Sequence, residues 1–567
     1  MSQKYDAIVI GTGISGGWAA KELCESGLKT LVLERGRMVK HVTDYPTMFK
    51  ENWDFKYRNR ASLEDAKRQE KQGRTGYTTA EEHRHWFVDD IDHPYSETKR
   101  FDWMRGYHVG GRSITWGRHS YRLSEMDFEA NKKDGYGVDW PIRYKDIEPW
   151  YDRVEEYIGV SGTNLGLSQL PDGKFTEAME FNCVEADFAE RVADKMNGRV
   201  VTHGRIAHIT GDKVHEGRGK CQFRNRCMRG CPYGGYFSSN STTLPAAERT
   251  GNMTMRPNSI VYEIVYDEAI GKASGVRIID AETKERLFFE AEIIFCCASA
   301  IASTSILMQS KSKRFPNGLG NDSGELGHNI MDHHLGVGAY AIVDEHQDDY
   351  YKGRRPGGMY IPRFRNLDEK SQRSDYVRGY GYQGAASRRN WRRGIAEMSF
   401  GESMKEELVK PGPWVIGITG FGECLPYHEN KITLNYDKPD QWGLPTVDFD
   451  VEFKENERKM RVDIQEQAVA MLKAAGYEKV QGFDNPNDYA PGLAIHEMGG
   501  ARMGRDPKTS VLNEYNQVHE VKNVYVTDGA CMTSSGCQNP SLTYMALTAR
   551  AADHAAREFN KNKNKKV

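Results

Sequence analysis

Apolar and polar positions change period twice near the start of the chain. In residues 5–36, YDAIVIGTGISGGWAAKELCESGLKTLVLERG, an apolar run over 5–10 reads as a strand. The segment GWAAKELCESG then takes helical spacing and is ended by Gly27, and KTLVLE returns to a strand finishing at Glu34. A comparable strand, NVYVTDG, lies at 523–529, and after QNP (538–540) apolar positions recur at helical spacing. Residues 41–95 are polar, aromatic and irregular, and read as an insertion or lid. No stretch approaches the roughly eighteen consecutive apolar residues of a spanning helix, so none is predicted.

The turn after the first strand carries Gly11, Gly13 and Gly16 at G-x-G-x-x-G spacing, with Ser15 inside it. Gly11 allows a tight turn, Gly13 a close approach of pyrophosphate to backbone, and Gly16 close packing of helix on strand. Glu34 is placed to accept ribose hydroxyls. Strand, turn, helix, strand and terminal acid together predict a bound dinucleotide, FAD or NAD. The letters GISGG also satisfy the G-x-S-x-G of a hydrolase turn, but that needs several sheet strands before the serine, and only one precedes Ser15.

A second glycine run, GYHVGGRSITWG (106–117), lets backbone approach a flat or phosphorylated group at Gly110 and Gly111. Ser113 and Trp116 are then candidates to contact that group; an ordinary glycine turn before a strand is the plainer reading. Towards the carboxy terminus His496 precedes another glycine-rich turn. HEMGG is not a zinc-protease helix, because Gly500 stands where the second histidine belongs. Asn539 and Pro540 open the last helix, where free N–H groups favour partial negative charge.

With 567 residues and a net charge of -2, the chain is long enough for two to four domains and has no charge bias towards nucleic acid. The basic end, NKNKKV, reads as a solvated terminus. The start, MSQKYDAIVIG, lacks the parts of a signal peptide, so a cytoplasmic chain, or one exported folded on a partner, is expected. Ten cysteines in this length do not make a disulfide scaffold, and the adjacent Cys296 and Cys297 look like core. Three others stand apart as Cys221-x5-Cys227-x3-Cys231 in CQFRNRCMRGCPYGG. Iron–sulfur ligation, with a proline after the last cysteine, is one reading. Zinc completed by His203, His208 or His215 is a second, and unliganded thiols a third. Lys220, Arg224, Arg226 and Arg229 are expected to lower the thiol pKa values.

Residues 5–36, 106–117, 318–334 (GLGNDSGELGHNIMDHH) and 494–556 together resemble the glucose–methanol–choline (GMC) family of FAD-dependent oxidoreductases. The resemblance implies an α/β fold: a discontinuous Rossmann-like FAD-binding domain (1–40, 96–335 and 491–567) and a sheet-based α+β substrate-binding domain (336–490). Strands near 339–343 and 431–435 would form the sheet flooring the substrate cavity. Carried over by position, His496 matches the family's catalytic histidine and Asn539 its partner across the substrate carbon. Asp528, Gly529, Pro540 and Thr543 match positions beside the flavin, and Val261 the one that meets adenine. Thr115 stands where the pyranose-oxidising members tether their flavin through histidine, so the FAD is expected to be non-covalent. Ser299, in CCASAIAST, occupies a usual glycine place. The cysteine spacing matches the [3Fe-4S] motif of some bacterial members.

An alcohol oxidised by a flavin loses hydride from carbon and a proton from oxygen, so a base must reach the hydroxyl. His496, with an ordinary pKa of about 6.5, suits that task, and Asn539 can orient the hydroxyl. The function expected is a sugar or glycoside dehydrogenase of glucoside 3-dehydrogenase type acting on a secondary ring hydroxyl. Electrons would leave through the cluster to a cytochrome c or quinone-linked acceptor, and a small Tat-targeted subunit would carry the chain to the periplasm. Gluconate 2-dehydrogenase or another polyol dehydrogenase is the alternative, with Arg354, Arg355 and Arg363 available for a carboxylate. A non-catalytic electron carrier is a further one.

Overall fold

The strand Lys4–Ile10 lies at the centre of an eight-stranded sheet. It pairs in parallel with Thr30–Leu33 on one side and Arg286–Cys296 on the other. Ala7, Ile8 and Val9 are fully buried, as a parallel strand covered on both faces requires. The sheet continues in parallel through Met253–Arg256 at one end and Val521–Val526 at the other. Ser259–Asp267 and Lys272–Asp280 add an antiparallel ribbon. The helix Ile14–Glu25 packs on the carboxy-terminal helix Ser541–Lys565. Its Ala19 and Ala20 share a cluster with Ala551, Ala552 and Ala555, small side chains that let the two helices approach closely. This computed structural model describes residues 4–212, 215–349, 356–389, 400–485 and 490–565.

A second, six-stranded antiparallel sheet runs in the order Lys479–Asp484, Val337–Val343, Trp414–Gly422, Tyr380–Arg388, Met359–Ile361 and Thr202–His203. Trp414–Gly422 alternates strictly. Trp414, Ile416 and Ile418 are buried in a core with the helix Glu455–Ala474, while Thr419 and Phe421 face a large cavity. Gln383 and Ala385 of the neighbouring strand face the same way. Thr202–His203 and the helix Cys183–Lys195 join this sheet from well before residue 336.

The expectation that 339–343 and 431–435 belong to one sheet flooring the cavity is corrected here. Lys431–Pro439 forms a hairpin with Pro445–Asp450, to which Ser96–Glu97 adds, in a separate three-stranded sheet. Five residues separate the two hairpin strands, so the local partner prevails over a distant one. Residues 41–95 contain short 3₁₀ turns and one helix, Leu63–Arg68. No described helix is long and apolar enough to cross a membrane.

Candidate functional site

The two sheets enclose one cavity of about 1260 Å³, which runs from Glu34 and Val261 to His496, Asn539 and Gln383. At the first end Gly11 has φ +93°, and a Cβ there would meet Cys297 O; a Cβ on Gly16 would run into Gly11 O. Gly13 differs: no protein atom lies within 4 Å of where its Cβ would be, and the residue lines the cavity. The turn therefore offers bare backbone to a ligand at the position assigned to pyrophosphate. Glu34 Oε2 accepts from Thr12 N (3.2 Å) and Thr12 Oγ1 (2.5 Å), and Oε1 from Gly36 N (3.0 Å), leaving further acceptor capacity at the cavity wall. Burial pushes its carboxyl up.

Gly110 N–H donates to Thr12 Oγ1 (2.9 Å), which docks the second glycine run on the first. Gly111, Ser113, Thr115 and Trp116 line the cavity with Ser15, Asp528, Gly529 and Asn539. Gly110 is buried against Asn240, which a Cβ would strike. The Ser113 hydroxyl is engaged by Gly110 O (2.6 Å) and Ser239 N (3.0 Å), and Trp116 Nε1 donates to Phe237 O (2.9 Å), so both brace the turn. Asp528 accepts from Ser299 N (3.0 Å), Ser303 Oγ (2.5 Å) and Ala530 N (3.0 Å); burial pushes its carboxyl up to about 6. Ser299 takes φ +85°, the conformation for which a glycine is usual there. Pro540 and Thr543 do not line the cavity: the Thr543 hydroxyl bonds Tyr151 OH (2.8 Å), while Ser541 and Tyr544 face the space instead.

At the other end, two histidines fix one another. His333 Nε2 lies 2.8 Å from Gly536 O, a pure acceptor, so that nitrogen carries the proton. Burial holds His333 down at about 4, hence neutral, and its Nδ1 is an acceptor. His496 Nδ1, 2.8 Å away, is then the donor, which leaves His496 Nε2 with a free lone pair. That atom accepts from Asn539 Nδ2 at 3.1 Å, and Gln383 Nε2 donates to Asn539 Oδ1, so the amide's orientation is set as well. Burial first, then His333, His119 and Arg112, hold His496 well below its ordinary pKa. The ring is a neutral base at pH 7.

Asp332 sits behind this pair. It accepts from Gly492 N (2.7 Å), Ala494 N (3.1 Å) and His496 N (3.0 Å), pinning the loop that carries the histidine. Burial and Glu497 push its carboxyl up to about 7. Glu497 is paired with Arg112 through two bonds of 3.0 and 2.8 Å. Asp332, His333, Gln383 and the Arg112–Glu497 pair were not singled out by sequence. MDHH at 331–334 was the available signal for the first two.

The three cysteines line a small pocket with His208 and Tyr236. Cys227, Asn225 and Arg226 line the large cavity as well, so this loop is the wall between the two spaces. The three sulfurs do not all lie within 4.8 Å of one another. The expectation of lowered thiol pKa values is corrected: burial pushes Cys221 up to about 11 and Cys231 upward. Arg224 and Arg226 line the cysteine pocket, but their guanidiniums are engaged elsewhere, Arg224 by Met48 O (2.6 Å) and Arg226 by Glu51; Arg229 pairs with Glu82 and Lys220 with Asp212. Of the three histidines considered for zinc, only His208 lines the pocket; His203 stacks on Phe181, and His215 bonds Tyr157 O. Arg363 is buried, donating to Arg365 O and Asn366 O, away from the cavity lining. Arg354 and Arg355 fall outside the described residues.

Residues 5–335 and 426–548 match the amino- and carboxy-terminal profiles of the GMC oxidoreductase family. The chain belongs to that family. It is accordingly an FAD-dependent oxidoreductase, and the open glycine turn and acidic Glu34 fit that cofactor. Among curated relatives, the fructose dehydrogenase large subunit of Gluconobacter japonicus is 26% identical over 97% of each chain. The 2-methyl-1,2-propanediol dehydrogenase of Mycolicibacterium austroafricanum is 28% identical, over 99% of this chain and 96% of its own. A solved formate oxidase from Aspergillus oryzae RIB40 has a TM-score of 0.60 at 14% identity, over 99% of this chain and 100% of that one. That likeness supports the GMC fold.

Proposed function

We propose that this GMC oxidoreductase is the flavoprotein of a sugar or polyol dehydrogenase, oxidising a secondary ring hydroxyl in the manner of a glucoside 3-dehydrogenase. The observation that carries the reading is the unprotonated His496 Nε2, which accepts from the Asn539 amide at 3.1 Å, in the same cavity as the open Gly13 turn. Residues of that turn, with Glu34, Val261, Asp528 and Gly529, would hold non-covalent FAD, which supplies the hydride acceptor. His496 Nε2 takes the hydroxyl proton, and Asn539, steadied by Gln383, aligns the hydroxyl. His119, Gln383 and Thr419 add polar groups to the wall, suited to a polyhydroxylated substrate. The name of the fructose dehydrogenase relative supports a sugar, and its being a large subunit supports an assembly.

Cys221, Cys227 and Cys231 would bind a [3Fe-4S] cluster. A single zinc with legs of about 2.3 Å draws three sulfurs to about 3.8 Å apart; a wider set fits a larger inorganic body. The shared wall at Cys227 supports an electron exit from the flavin cavity. The acceptor would be a cytochrome c or quinone-linked partner, and the setting the periplasm, reached with a small Tat-targeted subunit. Gluconate 2-dehydrogenase is the alternative: Arg363 does not line the cavity, but Arg112 and Arg118 do.

Anaerobic bleaching of the flavin tests the reading. Methyl glucoside or a free sugar should reduce the wild-type flavin, and His496→Ala should slow reduction by about 10²–10⁴-fold. Bleaching by gluconate alone would transfer the assignment to the acid, and no bleaching by any polyol would favour an electron carrier.

A further inference from the structure

Behind the cysteine pocket lie two buried groups whose hydrogen-bonding capacity is unfilled. Arg218 is 1% exposed; its Nε donates to Gly234 O (2.8 Å) and Nη1 to Ile158 O (2.7 Å), but Nη2 has no partner. Among the described residues no carboxylate lies within 4.0 Å of this guanidinium. A buried, unpaired charge is costly by several kcal/mol, so the position calls for an anion. The group nearest that role is Cys231, first among those that hold the guanidinium's charge against burial.

His208 is equally enclosed, at 1% exposed, and lines the pocket itself. Arg118 Nε donates to its Nε2 at 3.3 Å, so in the neutral ring the proton is on Nδ1. Nδ1 has no partner. A buried N–H without an acceptor is rare in folded proteins and points to one missing from the protein's own atoms. Gly235 N, 3.4 Å from Cys231 Sγ, already aims one donor at a thiol in this pocket.

We propose that Arg218 and His208 face the anionic body held by the three cysteines, Arg218 as its counter-charge and His208 Nδ1–H as a donor to one of its sulfurs, and that they raise its reduction potential. The inference rests on the iron–sulfur reading above. Reduction adds one electron and no proton to the cluster. The electron comes from the reduced flavin and passes on to an external one-electron oxidant. The product carries one more negative charge than the reactant, so a nearby cation and a hydrogen-bond donor stabilise it more. Removing either lowers the potential.

The test measures iron and acid-labile sulfide, and then an anaerobic EPR-monitored redox titration, on intact wild-type protein, Arg218→Gln, Arg218→Lys and His208→Gln. Arg218→Gln should weaken reduction at least tenfold, read as a fall of about 59 mV for one electron. Arg218→Lys should keep most of the wild-type value, and His208→Gln should fall in the same direction by less. Loss of iron from Arg218→Gln with flavin retained would also support the counter-charge. Should that variant lose flavin too, the other two midpoints decide. Wild-type midpoints in Arg218→Gln and His208→Gln would overturn the inference while leaving the cluster standing. Wild-type protein without iron would overturn both, and flavin bleaching by sugar would remain a separate question.

Discussion

His333 Nδ1 lies 2.8 Å from His496 Nδ1, across 163 residues of sequence. Because His333 must donate to Gly536 O, the contact has one polarity, and it leaves the basic nitrogen of His496 beside Asn539. His333 is thus a positioning residue for the proposed base. His333→Leu should lower the limiting rate of flavin reduction by about tenfold or more, with FAD still bound. His333→Gln, whose carbonyl can accept the same proton, should recover part of it and keep the wild-type pH profile. Equal rates in wild type and His333→Leu would remove the tautomer argument.

The dependence of stability on pH follows from the same burial. His108 and His333 are held at about 4 and His119 at about 3, and His208, His334 and His496 well below 6.5. Between those values and an unfolded pKa of about 6.5, the unfolded chain binds more protons, so these groups make stability rise with pH. Asp332 and Asp528, raised to about 7 and about 6, act in the opposite sense over about pH 4–7. Burial also lowers other histidines, His85 and His93 to about 3 among them, and raises Glu22, Glu34, Glu423 and Glu457; the lowered histidines outnumber the raised carboxylates, giving a net loss of stability on acidification. Thermal melts should therefore show Tm falling from pH 7 to pH 5; a flat or rising Tm would contradict the burial of these rings.

Much of this site was legible because its signals are local. The glycine turn, Glu34, His496 and Asn539 announce themselves by spacing within a strand–turn–helix or before a helix start. His333 and Gln383 do not, since each acquires its meaning from a partner more than 150 residues away. Thr543 was misleading for a helical reason: it is on the opening turn of Ser541–Lys565 but faces Tyr151, while Ser541 and Tyr544 face the cavity. The arginines among the cysteines were read as neighbours of the thiols. Arg224 and Arg226 do line the cysteine pocket, but the charged ends of the three arginines are engaged by residues 48–52 and 82, and burial then dominates at Cys221 and Cys231.

Two glycines separated by three positions should respond differently to one methyl group. At Gly16 a Cβ would run into Gly11 O, so Gly16→Ala forces strand and helix apart, and should destabilise the protein by about 1–3 kcal/mol. At Gly13 a Cβ meets no protein atom and projects into the cavity. Gly13→Ala should fold normally yet retain less FAD, measured as flavin per chain after gel filtration. A Gly13→Ala protein with full flavin content would argue against pyrophosphate at this turn.

The central claim is that substrate electrons pass to the flavin while His496 takes the hydroxyl proton, and that they leave at the cysteine loop. Low-temperature EPR on the purified protein, before and after anaerobic addition of methyl glucoside, tests it most directly. The account predicts a signal from an oxidised three-iron cluster that diminishes when the sugar is added. A signal that persists would disconnect the cluster from the sugar. Zinc in place of iron, with no signal at all, would make the three cysteines structural and contradict the electron exit.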